Sequence, residues 1–302
     1  MWQNTFGILS DVKAELLRSR VRDTQAIFLE DSAHCVGSMV RDNQGEPLAD
    51  ISVHSFGVEK LLPTKFGGAI WINPRLGECS PQHQRFTEEL KIACVGVRVP
   101  QCREEKAMRH YFNQVRVLNH LPRALSAPLR KRLIRTDRFL APIVPREQQE
   151  QLDRTPCLPP NWAAEQALAR LENIDQIRQR RQQVQHIYQA RLTRKLQIPA
   201  DIKESQTLVR FPIFVSGDDR EAKAEELFSF LRTRGYYLGR WYRPALFPGV
   251  KDYDLYNFDP ELSDLPNTKR LITNAINLPT QESVPRTQEI VSWVNQWAEG
   301  NC

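Results

Sequence analysis

The sequence contains little glycine and no long hydrophobic run. Of 302 residues only 13 are glycine, and no G-x-G-x-x-G or P-loop pattern occurs, which argues against a Rossmann dinucleotide enzyme and a P-loop NTPase. The longest apolar stretches are far shorter than the ~20 residues that a membrane span needs. No basic stretch followed by an apolar one opens the sequence, so no signal peptide is indicated. These absences predict a cytoplasmic protein with no membrane partner.

The chain also has little excess charge and no clustered cysteines. The formal net charge is +6, from 42 Lys and Arg against 36 Asp and Glu, and such a mild excess favours anionic small molecules over nucleic acid as partners. The basic run at 130–135 has no interleaved aromatics and is interpreted as an exposed helix face. No two of the six cysteines form a C-x-x-C pair, so we expect reduced thiols and neither a disulfide framework nor a metal site.

Residues 1–73 have the pattern of an α/β unit. Ser10 and Asp11 mark the start of a helix that continues to about Arg22. Short apolar or alternating runs predict strands that are buried on one or both faces. These strands are expected at 26–29, 51–55 and 67–73.

Residues 74–154 have helical spacing and much charge, which predicts helices at 80–94 and 103–129. The proline-rich stretch 155–160 that follows is typical of a boundary between domains. With 41% hydrophobic residues, the chain can bury cores for about two domains. The first domain includes 74–154 as an atypical helical region. The predicted domains are 1–154 and 155–302.

The C-terminal part opens with a long predicted helix from Asn161 to about Arg194. Its run of Arg and Gln at 178–181 is interpreted as the solvated face of that helix. Beyond Pro199 the pattern of strand, helix, strand and closing helix indicates a smaller α+β domain, and Gly300 is expected to stop the last helix. These elements are expected at 207–215, 219–234, 236–238 and 290–297.

Four polar residues follow predicted strands of the first domain: Asp31, His34, Ser55 and Lys60. Taken one at a time, each has an ordinary structural interpretation. Asp31 can cap the next turn, and His34 can be a buried histidine with its hydrogen bonds satisfied. Ser55 can be a strand-end hydroxyl, and Lys60 a surface lysine. A functional role for Asp31 is indicated by its place at the carboxyl end of a strand, where ligands of α/β sheets bind.

The spacing of these residues is specific when they are taken together. The sequence reads E-D-S-A-H-C-x-G at 30–37 and S-F-G-V-E-K at 55–60, and a glycine pair follows at 67–68. It resembles the DegT/DnrJ/EryC1/StrS family of pyridoxal-phosphate-dependent sugar aminotransferases, in which E-D-x-A-[HQ]-x-x-G precedes S-F-x-x-x-K. The family's glycine pair stands seven and eight residues after its lysine, which selects Lys60 and not Lys65 as the matching residue. The segments 4–7, 161–188 and 277–280 extend the resemblance, the last as an N-L-P-x turn.

The resemblance implies a fold-type-I α/β architecture, with a partial large domain built on a mixed sheet and a smaller C-terminal α+β domain. It implies pyridoxal 5′-phosphate as the cofactor, held covalently by the catalytic residue Lys60, whose amine would also move a proton. Asp31 would keep the pyridine nitrogen protonated. His34 would bind the phenolic oxygen or pack on the ring, and Ser55 would donate to the phosphate. Desolvation of the lysine is expected from its neighbours Val58, Leu61 and Leu62.

The implied reaction transfers an amino group from an amino acid, with glutamate as the expected donor, to a keto-sugar carried on a nucleotide. The residues of 240–243, which are Arg240, Trp241, Tyr242 and Arg243, form a cationic and aromatic cluster. Arg240, Tyr242 and Arg243 of this cluster would meet the nucleotide diphosphate or, equally, line a domain interface. The resemblance also implies a homodimer. A sugar dehydratase of the same family would carry histidine in place of Lys60, so the lysine argues against that alternative.

The chain also departs from the family's pattern. Phe66 replaces the residue before the glycine pair, Gly57 replaces a histidine, and 157–162 replaces a G-x-N-x-R-M segment. Family members carry roughly a hundred residues before the position of Met1, a length typical of half a domain, and that part holds the phosphate-binding loop. The alternatives are a misassigned or interrupted start codon, a complementing N-terminal chain, a truncated non-catalytic homologue acting as a partner or regulatory subunit, or a degenerate gene product. Weak cofactor binding by the chain alone and an open apolar sheet edge are then expected.

Overall fold

The computed structural model describes residues 1–21, 24–140, 149, 151, 155–217, 219–247, 249–250 and 252–301. The strands are β1 (Trp2–Gln3), β2 (Leu29–Asp31), β3 (Ile51–Ser55), β4 (Gly68–Ile72), β5 (Arg210–Phe214) and β6 (Ala275–Pro279). The α-helices are α1 (Asp11–Val21), α2 (Pro81–Val95), α3 (Cys102–His120), α4 (Arg123–Arg135), α5 (Asn161–Leu171), α6 (Ile174–Arg191), α7 (Arg220–Thr233), α8 (Pro266–Asn274) and α9 (Val284–Asn301). Short 3₁₀ turns lie at Thr5–Gly7, Leu76–Glu78 and Asp254–Tyr256.

The first sheet has the order β1-β2-β3-β4. Strand β2 pairs in parallel with β1 and with β3, whereas β3 and β4 are antiparallel, so the sheet is mixed, as predicted. Because parallel strands run in one direction, Asp31 and Ser55, which end β2 and β3, lie at the same edge of the sheet. The second sheet is the antiparallel pair of β5 and β6.

Strand β2 begins later than its apolar run predicts. Residues 26–28 precede the strand, which continues instead through Glu30 to Asp31. The carboxyl of Glu30 is fully buried and accepts hydrogen bonds from Asn4 Nδ2 (2.6 Å) and Ser32 Oγ (2.9 Å). These partners satisfy Oε1 of the Glu30 carboxyl inside the buried strand, whereas its Oε2 has no hydrogen-bond partner in the described structure. Hydrophobic periodicity alone does not reveal such partners.

The hairpin of β3 and β4 depends on the glycine pair. Gly67 has a φ of 105°, in the left-handed region that favours glycine. Gly68 pairs with Ser55, and a Cβ atom on Gly68 would lie 2.4 Å from the carbonyl oxygen of His54. A larger residue there would push the two strands apart. Both predicted strands of this hairpin are confirmed.

The edge strand β4 presents apolar surface. Ile70 is 56% exposed, and Val53, its partner on β3, is half-buried. The predicted open apolar edge, where further strands would pair, stays a prediction.

Two predicted helices are each divided in two. The helix expected at 103–129 breaks at Leu121, whose ψ of 145° is extended, because the ring of Pro122 disfavours a helical residue before it. The long helix of the C-terminal part breaks near Asn173. The side-chain amide of Asn173 donates to the carbonyl of Ala169 (2.9 Å), and such local bonds compete with the backbone of a helix.

Three further expectations for the C-terminal part are wrong. Residues 236–238 are described but form no strand, and the nearest pairing is an isolated bridge between Gly239 and Asn277. The N-L-P-x segment 277–280 lies mostly inside β6, because its backbone pairs with β5, and is not a free turn. Gly300 does not stop the last helix, since α9 continues past it.

The basic run 178–181 is not wholly solvated, contrary to the prediction. Arg181 has only 4% of its surface exposed, whereas its neighbour Arg180 is exposed. On α6, Arg181 lies three residues before Val184 and seven before Tyr188, a spacing that places residues on one helix face. That face packs into the C-terminal core, so Arg181 is buried with it.

Separate cores accompany the two sheets. One groups Ala14 of α1 with Phe28, and the other groups Tyr188 with Phe211 of β5 and Trp297 of α9. The predicted division after residue 154 falls where the residues just before it lie outside the described part of the chain, and it stays a prediction. Among the described residues, no helix is long and apolar enough to cross a membrane.

Candidate active site

The carboxylate of Asp31 is fixed at the carboxyl edge of the first sheet. Asp31 is the last residue of β2, as predicted, and it is half-buried. Its Oδ1 accepts a hydrogen bond from the N–H of Ala33 (3.0 Å), and its Oδ2 accepts one from Gln3 Nε2 (3.0 Å) on β1. Both bonds orient the carboxylate without neutralising it, so Asp31 can hold a proton on a neighbouring base.

Lys60 lies in the loop that follows β3. Its N–H donates to the carbonyl of Gly57 (3.1 Å), which closes a tight turn. The next two residues, Leu61 and Leu62, are 2% and 1% exposed and anchor the loop in an apolar cluster. Val58 is 47% exposed, because it lies on the outside of this turn, and it does not shield the lysine as expected.

The amine of Lys60 shares its electrostatic environment with Asp31. Burial lowers the pKa of Lys60, and the negative charges of Asp31 and Glu59 oppose that shift. Lys65, the alternative lysine, lies elsewhere: its Nζ sits 3.6 Å from the centroid of the Phe112 ring. The structure therefore brings Lys60, and not Lys65, together with Asp31.

His34 is a neutral imidazole whose hydrogen bonds show which ring nitrogen carries the hydrogen. It is 5% exposed, and its Nδ1 accepts the N–H of Phe6 (2.9 Å), so the ring hydrogen belongs on Nε2. That Nε2 lies 3.4 Å from the hydroxyl oxygen of Tyr242. Burial, followed by the charge of Lys60, lowers the pKa of His34 to about 3. His34 is thus a neutral hydrogen-bond donor at physiological pH.

Tyr242 reaches the site from the C-terminal part of the chain. Its ring is nearly parallel to those of His34 and Phe6, with interplanar angles of 8° and 17°. Burial and the negative charge of Asp31 raise the pKa of Tyr242 to about 12. Trp241 stacks on His34 as well, with ring centroids 5.7 Å apart. Together these rings cover one side of the site.

The two arginines predicted beside Tyr242 point away from this cluster. The side chain of Arg240 is 9% exposed and donates to Glu225 (2.6 Å) and to the carbonyl of Thr273 (2.8 Å). Arg243 lies 3.3 Å from Glu221. Both are thus held against α7, so of the three predicted substrate residues the structure brings only Tyr242 to the site.

Ser55 lies at the end of β3 with its hydroxyl hydrogen still available. Its Oγ accepts the N–H of Gly57 at 3.3 Å, which leaves the O–H free to donate. One such donor, placed beside the Lys60 turn, can contribute to the binding of a phosphate oxygen, and this role of Ser55 stays a prediction.

Three charged residues that support the Lys60 loop are not in the predicted site. Arg181 donates through Nη2 to the carbonyl of Lys60 (3.4 Å) and through Nη1 to Thr280 Oγ1 (2.7 Å). Glu59 forms an ion pair with Arg210 (3.0 Å). The helical spacing of Arg181 with the apolar face of α6 is the sequence signal that could have identified it. The pairing of Glu59 with Arg210 joins distant segments and leaves no local signal.

Comparison with known proteins bears on this arrangement. A sequence model described as the DegT/DnrJ/EryC1/StrS aminotransferase family matches residues 160–294. No curated protein matches the chain.

Among solved structures, the fold is similar to that of Spr1654 of Streptococcus pneumoniae, which is assigned as a sugar aminotransferase and was solved in its PMP form. The TM-score is 0.64 and the sequence identity is 18%. The match covers 99% of this chain and 68% of Spr1654. It is also similar to Helicobacter pylori PseC, an aminotransferase involved in the biosynthesis of pseudoaminic acid, with a TM-score of 0.61 and 17% identity over 99% of this chain and 66% of that one. The chain spans about two thirds of the length of these proteins. The predicted fold and the predicted resemblance are therefore both confirmed: the chain has the fold of the fold-type-I aminotransferases, and residues 160–294 match the DegT/DnrJ/EryC1/StrS aminotransferase family.

Proposed function

We propose that this protein is a pyridoxal-phosphate-dependent aminotransferase that moves the amino group of an amino acid, with glutamate as donor, to a nucleotide-linked keto-sugar. The observation that carries the proposal is the convergence of Asp31, His34 and the partly buried Lys60 at one edge of the sheet. The family match and the PMP and PLP forms of Spr1654 support it. The amino acid would leave as its 2-keto acid, and the keto-sugar would become an amino-sugar.

The donor set at this edge fits pyridoxal phosphate. A pyridine nitrogen needs an anionic partner, an aldehyde needs an amine that can lose its proton, and a phenolic oxygen needs a neutral donor. Asp31, Lys60 and His34 supply these groups in turn, and Ser55 supplies a hydroxyl for the phosphate. When bound, the cofactor supplies the electron sink that stabilises negative charge at the α-carbon of the donor.

Lys60 both holds and moves protons in this scheme. Since burial lowers the pKa of Lys60, a larger fraction of the amine is deprotonated at neutral pH than for an exposed lysine. A deprotonated amine can attack a carbonyl, and once released it can act as a general base toward the α-carbon hydrogen. The nearby charge of Asp31 limits the shift, so the amine can also carry the proton that it removes.

Asp31 and His34 would orient a bound cofactor and polarise its ring. The bonds from Ala33 and Gln3 hold the carboxylate of Asp31 at the sheet edge, where it would keep a facing pyridine nitrogen protonated. The bond from the Phe6 N–H fixes His34 as a donor through Nε2. Tyr242, stacked alongside, covers the site and excludes water from it. Arg240 and Arg243 would meet a diphosphate only by leaving their carboxylate partners on α7.

We also propose a cytoplasmic location and a homodimeric assembly in which the second copy of the chain completes the site. A second candidate function is that of a non-catalytic homologue, which acts as a partner or regulatory subunit or is a degenerate gene product. The contact of His34 Nε2 with the Tyr242 hydroxyl favours this alternative, because it engages the donor that a cofactor oxygen would need.

The decisive experiment is to load the protein with pyridoxal phosphate, reduce it with borohydride and map the modified peptide. We expect the pyridoxyl group on Lys60, its loss in Lys60→Ala, and normal labelling in the matched control Lys65→Ala. Glutamate added to the loaded protein before reduction should then convert the absorbance of the cofactor to that of its amine form.

Two outcomes separate the candidates. Labelling of Lys65 in place of Lys60 would overturn the assignment of the site. Labelling of Lys60 without any spectral change on addition of amino donors would favour the non-catalytic homologue.

A further inference from the structure

Two carboxylates act on the amine of Lys60, and their own partners differ. Asp31, at the end of β2, accepts hydrogen bonds from two neutral donors, one a backbone N–H and the other a side-chain amide. Glu59, which directly precedes Lys60 in the chain, instead lies 3.0 Å from the guanidinium of Arg210. In the described structure an arginine therefore neutralises one of these carboxylates, whereas neutral groups bind the other.

Arg210 reaches the carboxylate of Glu59 from the second sheet. It is the first residue of β5, and its side chain is only 6% exposed. Its Nη1 donates to the carbonyl of Tyr237 (3.2 Å). The guanidinium also lies over the rings of Tyr237 and Trp241, 4.9 Å and 5.7 Å from their centroids. These contacts hold the guanidinium in one place, so Glu59 meets a charge that is already positioned.

A second arginine holds the backbone at Lys60. Arg181 of α6 donates through Nη2 to the carbonyl of Lys60 (3.4 Å). Burial and the positive charge of Arg210 lower the pKa of Arg181, and the negative charge of Glu59 opposes them. The three charged groups are thus within electrostatic reach of one another, on the loop that carries the candidate catalytic amine and on the elements packed against it.

Four titratable groups around these charges are neutral at physiological pH. The pKa of His34 is lowered to about 3, by burial and by the charge of Lys60. Burial raises the pKa of the Cys35 thiol well above its usual range, and it also raises the pKa of the hydroxyls of Tyr237 and Tyr242. The carboxylates and arginines described above therefore determine the field at the amine.

Elementary electrostatics gives the sign of each effect. A negative charge beside an amine favours the protonated form, and a positive charge disfavours it. Burial lowers the pKa of Lys60, and the charges of Asp31 and Glu59 oppose that shift. An arginine on Glu59 offsets one of the two opposing charges.

Stability alone does not account for the pair of Glu59 and Arg210. Removing an arginine from water costs free energy that its attraction to a carboxylate often only offsets, so a buried ion pair contributes little net stability. This pair lies one residue from the candidate catalytic lysine, and that position offers a functional reason for it.

We infer that Glu59 and Arg210 are positioning residues for Lys60: the pair holds the loop that carries the lysine, and the guanidinium offsets the carboxylate charge that would otherwise keep a proton on the amine. Both residues act through Lys60. The inference rests on the proposed function, in which this amine must be deprotonated to react.

The test compares the protonation of Lys60 among variants of the full chain, with no cofactor added. Acetic anhydride in trace amounts acylates the deprotonated amine, and mass spectrometry measures the labelling of Lys60 relative to the exposed Lys91. At neutral pH, Arg210→Gln should slow the labelling of Lys60 by at least about threefold, because the charge of Glu59 is then unopposed. Glu59→Gln should accelerate it by at least about threefold, because a negative charge is removed.

Two further variants separate charge from shape. Arg210→Lys keeps the positive charge and should label within about twofold of the wild type. The double variant Glu59→Gln/Arg210→Gln removes both charges and should also label within about twofold of the wild type. Circular dichroism of each variant should remain that of the wild type. Comparison of the double variant with Glu59→Gln measures the effect of Arg210 even if Arg210→Gln alone does not fold.

The matched control is Arg286→Gln, which removes an arginine of α9 that pairs with Glu282 (3.1 Å). Neither residue of that pair acts on Lys60, and the labelling of Lys60 should stay within about 1.5-fold of the wild type because remote charges are screened.

The direction of the changes decides the outcome. Labelling that changes in the same direction in Arg210→Gln and Glu59→Gln would show that the pair only supports the loop, and it would overturn the inference. Labelling of Lys60 at the wild-type rate in Arg210→Gln would overturn it as well. Opposite changes in the two variants, together with a Lys60 that pyridoxal phosphate does not modify, would support the control of the proton and contradict the proposed function.

Discussion

The guanidinium of Arg181, on α6, donates to the main-chain carbonyl of Lys60, 3.4 Å away. The same guanidinium donates to Thr280 Oγ1 (2.7 Å) and to the carbonyl of Leu208 (3.3 Å). It therefore links the Lys60 loop, which carries the candidate catalytic amine, to α6 and to the second sheet of the C-terminal part. Burial, with the charge of Arg210 added, lowers the pKa of Arg181 to about 10, which leaves it charged at neutral pH.

The variant Arg181→Gln tests this link between the Lys60 loop and the C-terminal part. Its shorter amide cannot reach both the Lys60 loop and Thr280, so buried acceptors lose their donors and we expect a loss of about 3 kcal/mol in the free energy of unfolding. Urea denaturation measures this loss. The control Arg180→Gln changes an exposed neighbour on the same helix and should stay within about 0.5 kcal/mol of the wild type. Similar losses in both variants would contradict the assigned role of Arg181.

Asp31→Asn tests the carboxylate at the sheet edge. The amide is nearly the same size and can still accept the N–H of Ala33, so the fold should be retained. A neutral amide cannot hold a proton on a facing pyridine nitrogen, and we expect the conversion of the loaded cofactor by glutamate to slow by roughly 10²-fold or more. Stopped-flow absorbance measures the rate. The exposed carboxylate of Asp264 provides the control Asp264→Asn, which should react at the wild-type rate, and a wild-type rate for Asp31→Asn would contradict its role.

The substitution Gly68→Ala tests the close approach of β3 and β4. Its Cβ would lie 2.4 Å from the His54 carbonyl oxygen, so the strands must separate, and we expect a destabilisation of about 2 kcal/mol or more. The matched control is Gly300→Ala, where a Cβ meets nothing within 4 Å and the residue lies in α9. That change should be neutral or stabilise by up to about 1 kcal/mol, because alanine favours helix. Thermal unfolding of both variants measures whether stability falls in Gly68→Ala and is unchanged or rises in Gly300→Ala.

The part of the site that lies at the ends of two consecutive strands was predictable from the sequence. Asp31 and Ser55 end adjacent parallel strands, and the turn after β3 places Lys60 beside them. The order of these strands and the short spacing from Ser55 to Lys60 can both be read from the sequence, so they predict that the three residues lie close together. Tyr242 was predicted as a substrate residue, but its contact with His34 depends on how the C-terminal segment returns over the sheet. A fold brings such residues together through packing of distant segments, which one sequence does not display.

Two of the misplaced elements share a physical cause, which is that single side-chain hydrogen bonds override periodicity. The apolar spacing of the long C-terminal helix continues through Asn173, yet the bond from its side chain to the Ala169 carbonyl ends α5 there. The polarity of Glu30 argues against a buried strand, yet its buried partners permit one. Periodicity averages over many residues, so it locates elements well and their ends poorly.

The pH dependence of stability provides a test of the neutral state of His34. In the folded protein the pKa of His34 is lowered to about 3, whereas the unfolded chain takes up this proton near pH 6.5. As pH falls below about 6.5, the unfolded state binds a proton that the folded state does not, and stability is lost. The loss from His34 should be about 2 kcal/mol between pH 7 and pH 5.

Urea denaturation of the wild type and His34→Asn at both pH values isolates this contribution. The asparagine oxygen can still accept the N–H of Phe6, but it cannot titrate, so the variant should lose about 2 kcal/mol less than the wild type on acidification, whatever its stability at pH 7. The matched control His186→Asn replaces an exposed histidine on α6 and should keep the wild-type pH dependence. If His34→Asn and the wild type lose the same stability between pH 7 and pH 5, the folded protein takes up a proton on His34 as readily as the unfolded chain does, which would contradict the lowered pKa of His34.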